Sequence, residues 1–265
     1  MIEHLSQSSI DQFLRCSWQW KLQRVDKLPT GTSWQLLAGG IVHEVAAWNF
    51  LHKVESKKDM PKEQLLEYAK KVSRRKIDEV PRWHTKDLDE DLERMRTRVE
   101  VCTGLFADSV APFVQPIEGG IEKKLKIPAG RGFPDILCFL DCIDRNNVIH
   151  DWKTANKTPS VSYISTEVHH EFQPSAYGLA FRLAFGHDPA EFRFHYMVDT
   201  ANPKVVQCTT SRMAASYVAF LRRAQQVWAA HQAGVYLPAS KGWWCSEEHC
   251  YYAAKNQCEF YVRYH

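Results

Sequence analysis

The chain has 265 residues, enough to bury a core without disulfide or metal staples. Its 45% hydrophobic and 25% charged content excludes a disordered or fibrous polymer, and no apolar run approaches the roughly 18 residues that a membrane helix needs. The polar segment Met1 to Ile10 lacks the basic-then-apolar order of a secretory signal, so the chain reads as cytoplasmic (host cytoplasm if viral) with no membrane partner. A net charge of +3 does not by itself indicate nucleic acid. Basic residues do gather at Lys53, Lys57 and Lys58, at Lys70, Lys71, Arg74, Arg75 and Lys76, and at Lys123, Lys124 and Lys126. Such clusters suit phosphates and exposed helix faces equally well.

In chain order, Ser9 to Arg24 has helical periodicity, with Ser9 and Gln12 as a capping pair and Ile10, Phe13 and Leu14 on one face. Leu28-Pro29-Thr30-Gly31 ends that element. A second helix follows the pair Gly39-Gly40 and carries His43, Val45, Ala46 and Phe50. Residues 62–80 and 87–113 form two amphipathic helices, the latter with an acidic start at Asp87, Asp89, Glu90 and Asp91 that complements the helix dipole. The period then changes to two. Ile121 to Ile127 alternates like a half-buried strand. Phe133 to Ile143 is an apolar run broken by Asp135 and Asp141, and Val148 to Lys153 is a shorter one. Between these runs, Asp144-Arg145-Asn146-Asn147 has hairpin-turn composition. A helix over Phe172 to Phe185, strands at Phe192–Val198 and Val205–Thr209, and a helix over Arg212 to His231 complete a mixed α/β chain. No Gly-rich turn follows the first long strand, which excludes a dinucleotide fold.

The chemistry is expected where acids interrupt strands. Asp135 stands in Gly132-Phe133-Pro134-Asp135-Ile136-Leu137, and Asp151 in Val148-Ile149-His150-Asp151-Trp152-Lys153. A carboxylate among apolar strand residues is costly unless paired or bound to a cation. If the two runs pair about Asn146-Asn147, Asp135 and Asp151 share one end of the sheet, an oxygen-rich site for Mg²⁺ or Mn²⁺. Lys153 lies one strand period from Asp151 and so on the same face. An acid-x-Lys string alone carries little weight, since Glu55-Ser56-Lys57 and Glu122-Lys123-Lys124 also satisfy it. Taken singly, His43 reads as a satisfied helical histidine, Gln173 and Tyr177 as helix packing, and Glu122 as an exposed strand residue.

Five motifs in order resemble the RecB-like nucleases of the PD-(D/E)XK superfamily. They are Leu5-Ser6-Gln7-Ser8-Ser9 running to Cys16, Gly39-Gly40-Ile41-Val42-His43, Gly132 to Asp135, Asp151 to Lys153, and Gln173 to Tyr177. The resemblance spans most of the chain. It implies a single restriction-endonuclease-like domain over residues 1–265, a mixed sheet flanked by helices with a helical insertion at about 50–115. It further implies a metal-dependent deoxyribonuclease, an exonuclease before an endonuclease, acting at a DNA strand end in recombination, repair, or phage or CRISPR processing. Annealing, helicase or CRISPR-adaptation proteins would be its partners. His43, Asp135, Asp151 and the Trp152 carbonyl would ligate the metal, and Lys153 would be the catalytic lysine. Gln173 and Tyr177 would support the site or touch DNA.

Eight cysteines in a reducing compartment do not suggest a disulfide framework. Cys102, Cys138, Cys142 and Cys208 lie in apolar surroundings and read as buried thiols. Cys16, Cys245, Cys250 and Cys258 match the one-then-three arrangement by which several RecB-like nucleases hold a 4Fe–4S cluster. The last three are spaced by four and seven residues, wider than in those relatives, so zinc remains an alternative. The resemblance thus implies a C-terminal cysteine clasp over about 240–265 that joins the chain's two ends. Two other readings are open: an inactive DNA-binding scaffold on a nuclease fold, and a zinc-stabilised nucleic-acid-binding module.

Overall fold

The structure is a computed structural model, and it describes residues 2–128, 130, 132–160, 162–164, 168, 172–239 and 242–262. The first helical stretch is two helices rather than one, α1 (Gln7–Arg15) and α2 (Ser17–Arg24). The cap is Ser6, not Ser9: the Ser6 and Ser9 side chains each bond the other's backbone in a reciprocal box. Cys16 breaks the pair. Its extended backbone ends α1, and its Sγ accepts the Gln19 N–H at 3.4 Å to start α2. The next helix, α3 (Trp34–Ser56), starts at Ser33, so the Gly39-Gly40 pair lies inside it rather than before it. The α4 helix (Lys62–Asp78) and α5 (Leu88–Ser109) follow, and Asp87 caps α5 by accepting the Glu90 N–H at 3.0 Å, as its acidic start predicts.

The sheet has six strands: a two-residue β1 (Leu5–Ser6), then β2 (Pro116–Ile127), β3 (Ile136–Asp144), β4 (Val148–Ala155), β5 (Glu191–Val198) and β6 (Lys204–Thr210). Strands β2, β3 and β4 form the expected antiparallel meander, β5 joins β4 in parallel, and β6 returns antiparallel. The turn between β3 and β4 is built by Asp144, whose Oδ1 accepts the N–H groups of Asn146 and Val148, while Asn147 takes the left-handed conformation. The parallel β4–β5 pair needs a crossover, which contains α6 (Phe172–Phe185). The chain closes with α7 (Ala214–Gln232) and a short α8 (Tyr251–Ala254).

Two cores sandwich the sheet. On one face Phe181, Phe194, Phe220 and Trp20 pack α1, α2, α6 and α7 against it. On the other, Phe50, Phe106, Val45 and Trp152 join α3, α4 and α5 to it. This is a mixed α/β sheet flanked by helices, the expected restriction-endonuclease-like architecture. Among the described residues no helix is long and apolar enough to cross a membrane.

The second core hinges on three aromatic rings. Phe106 is fully buried and meets Phe50 and Trp152 edge-on, with centroids 5.3 and 5.8 Å away. Phe106→Ala should cost about 3–5 kcal/mol through lost burial and the cavity left behind. Urea unfolding should show a lower midpoint with the denaturant slope unchanged.

Candidate active site

The sheet does not stay paired along the whole length of β3 and β4. Their register matches Cys142 with His150 and Ile143 with Ile149. Further down the same side of β3, Ile136 and Leu137 pair with β1 instead. At the fork the Asp141 carboxylate takes the place of a backbone acceptor and receives the Trp152 N–H at 3.0 Å. The side chains of β3 lose their alternation there. Cys138 and Leu140 belong to the first core, Cys142 to the second, and Ile143 again to the first.

Groups from both faces of the sheet meet at this fork. From α3, His43 places Nδ1 3.3 Å from Asp141 Oδ2, and its Nε2 donates to the Trp152 carbonyl at 2.9 Å. From α6, Gln173 donates to Asp151 Oδ1 and accepts from Lys153 Nζ at 3.1 Å. Lys153 Nζ also lies 2.7 Å from Asp151 Oδ2, as the strand period predicts. Tyr177, one helical turn beyond Gln173, is buried and hydrogen-bonded to it.

The site's charges are strongly coupled. Burial works against a charged His43, but the charge and hydrogen bond of Asp141, with Asp151 behind, prevail and raise it to about 9. Burial pushes Asp151 up to about 6, against the pull of Lys153. Glu122 reaches in from β2. The residue as a whole is exposed, yet its carboxyl is crowded by protein and by Asp141, which together push it up to about 7. Its backbone has φ 47°, a left-handed conformation that costs a non-glycine residue energy, just past the register shift between Pro116 and Ile121 in β2. One ligand atom each from His43, Glu122 and Asp141 lies within 4.8 Å of the others. A neutral imidazole and carboxylate oxygens form a donor set for a divalent cation such as Mn²⁺ or Mg²⁺.

Asp135 is not brought to this cluster, and its expected pairing with Asp151 is corrected to Asp141. It sits before β3, six residues and about 20 Å of strand from Asp141. There it is half-buried and ion-paired with Lys126 at 3.0 Å. The reason is topological: beside that end of β3 runs β1, and β4 has already parted from it. Asp141 left a trace in the sequence as the second break in the same apolar run. Glu122 left none beyond an acid on the preceding strand.

The four spaced cysteines meet at the opposite end of α1. Cys16, Cys245, Cys250 and Cys258 line one cleft with Trp244, Tyr252 and Phe260. Burial raises Cys245 and Cys250, and the charges of Cys16 and Cys258 raise them further. The backbone N–H groups of Tyr252 and Ala253 pull Cys250 partly back down, and the Gln19 amide lies 3.8 Å from its Sγ. The other four cysteines are buried thiols, as expected, and burial pushes Cys102 and Cys138 up to about 12.

Comparison with known proteins agrees with this geometry. The model of the PD-(D/E)XK nuclease superfamily matches residues 4–258. A Eubacterium rectale structure, provisionally named an exonuclease, is similar over 90% of this chain and 85% of its own, at 13% identity and a TM-score of 0.55. At that identity the likeness concerns the fold alone. The structure of SSO0001 aligns over 93% of this chain and 96% of its own at 12% identity, with a TM-score of 0.38. No curated protein matches the sequence. With a family match over nearly its whole length, a sheet of the right architecture, and an acid-x-Lys motif beside a second strand acid, this chain belongs to the PD-(D/E)XK nuclease superfamily.

Proposed function

We propose that this protein is a metal-dependent deoxyribonuclease, an exonuclease working at a DNA strand end, with residues 1–265 as one nuclease domain. The observation that carries this reading is the convergence of His43, Asp141, Asp151 and Lys153 where β3 and β4 part. His43, Asp141, Asp151, Glu122 and the Trp152 carbonyl are the groups that would hold the cation. When bound, Mg²⁺ or Mn²⁺ supplies Lewis-acid polarisation of the scissile phosphate and a more acidic water. The protein's own part is orientation. Asp151 and Gln173 hold the Lys153 ammonium from two sides, so its N–H donors are aimed before substrate arrives. That ammonium orients the attacking water and offsets charge that develops on the phosphate oxygens. The Tyr177 bond to Gln173 keeps this support rigid from α6. The name of the Eubacterium rectale neighbour favours exonuclease action by analogy.

The reading is tested with end-labelled linear DNA in Mg²⁺ and in Mn²⁺. Wild type should degrade it only with metal, and Lys153→Ala should lower the rate by about 10²–10³-fold, the usual effect of removing one preorganised charge donor. A folded wild-type protein inert with both metals would sink the nuclease reading. Asp141→Asn should lose Mn²⁺ binding in calorimetry and lose cleavage, while Asp135→Asn keeps both. The reverse result would return the site to the lower end of β3.

We also propose that Cys16, Cys245, Cys250 and Cys258 hold a 4Fe–4S cluster. Four thiols gathered in one cleft, with Cys245 and Cys250 raised by burial and by the charges of the other two, favour a cation that accepts thiolates, and the N–H groups beside Cys250 suit a bound sulfur. Anaerobically purified protein should be brown and carry iron and sulfide, and Cys250→Ala should lose them. A colourless protein with one zinc per chain would assign zinc instead.

A further inference from the structure

The helical layer carries a cation toward the active site that the chemistry above does not use. Lys76 is in the last turn of α4, in the segment between α3 and the sheet. Its Nζ lies 3.3 Å from Glu44 Oε2, next to His43 in sequence, and its charge reaches the Glu122 carboxyl. Glu44 does not need it. Arg75 already places one nitrogen 2.7 Å from both oxygens of Glu44, and Tyr68 adds its hydroxyl at 3.4 Å. Lys76 is thus a second cation on Glu44, beside a site dominated by carboxylates, while Arg75 is shared with Glu79 at 3.9 Å.

The surface between Lys76 and His43 is bare. Gly39 and Gly40 precede His43 by four and three residues, so all three share one face of α3. A Cβ on Gly40 would have the Lys76 amine as its nearest neighbour at 3.9 Å, and one on Gly39 would meet Thr154 Oγ1 at 3.8 Å. Both glycines could therefore carry a side chain without a clash inside the protein, and two glycines weaken a helix interior. What their absence of side chains leaves is an open strip of helix backbone, one turn or about 5.4 Å long, between His43 and the Lys76 amine.

We propose that Lys76 is a substrate-phosphate contact: it grips a backbone phosphate next to the scissile one, on a DNA strand crossing α3 over Gly39 and Gly40. This rests on the nuclease reading. The helical insertion then measures the strand one phosphate step from the metal groups, and Glu44 and Arg75 preset the lysine's position.

The test is anisotropy of labelled oligothymidylate and of a labelled duplex over a salt series, with Ca²⁺ in place of the reacting metal. Lys76→Ala should weaken binding several-fold at low salt. It should also flatten the slope of log affinity against log salt by about 0.7 on the single strand or about 0.9 on the duplex, the loss of one phosphate contact. Lys76→Arg should restore the slope. Gly40→Leu should weaken binding with circular dichroism unchanged and melting not lowered. Wild-type affinity and slope in Lys76→Ala would overturn the contact, and wild-type binding by Gly40→Leu would overturn the path over α3. Failure of wild type to cleave with Mg²⁺ or Mn²⁺ would count against the nuclease reading, while the salt slope would still decide for or against Lys76.

Discussion

The structure depends on the Asp141 carboxylate receiving the Trp152 N–H where β3 and β4 separate. A sheet that parts leaves backbone donors without acceptors, and an unpaired buried N–H is expensive. Asp141 settles that cost with a side chain rather than a strand, and so fixes a carboxylate at a fork that groups from both faces of the sheet reach. His43 comes from the α3 side and Gln173 from the α6 side, and neither could reach across an unbroken ladder.

Burial then sets the tension that the site's chemistry uses. Asp141, Asp151 and Glu122 crowd one another, and the positive groups available are His43 and Lys153, with Lys76 further out. The acids raise His43 to about 9 against the effect of burial, and burial together with Asp141 raises Glu122 to about 7. The left-handed backbone of Glu122 points the same way, since strain persists only where surrounding structure holds it. The cysteine cleft is a second cluster, separate from the first, and joins α2 to the C-terminal segment.

Much of this was legible in the chain. Strand periodicity placed Asp151 and Lys153 on one face, because alternation is a local property. Capping chemistry marked the start of α5 at Asp87, and turn composition marked the β3–β4 hairpin. Gln173 and Tyr177 were indicated by motif order, and both meet Asp151 or its partner in space. The break at Cys16 was hidden because its flanks share one helical pattern, and the cap lies in its extended backbone.

The sequence by itself determined the elements and the Asp151–Lys153 pair, since period, caps and turns are set by neighbours along the chain. Only the tertiary structure decided which acid accompanies Asp151. Asp135 and Asp141 both interrupt one apolar run, and an alternating pattern cannot say which strand lies beside each. That choice belongs to sheet topology: β1 takes the place beside Ile136 and Leu137, β4 stays beside Cys142, and Asp141 is left at the fork between them.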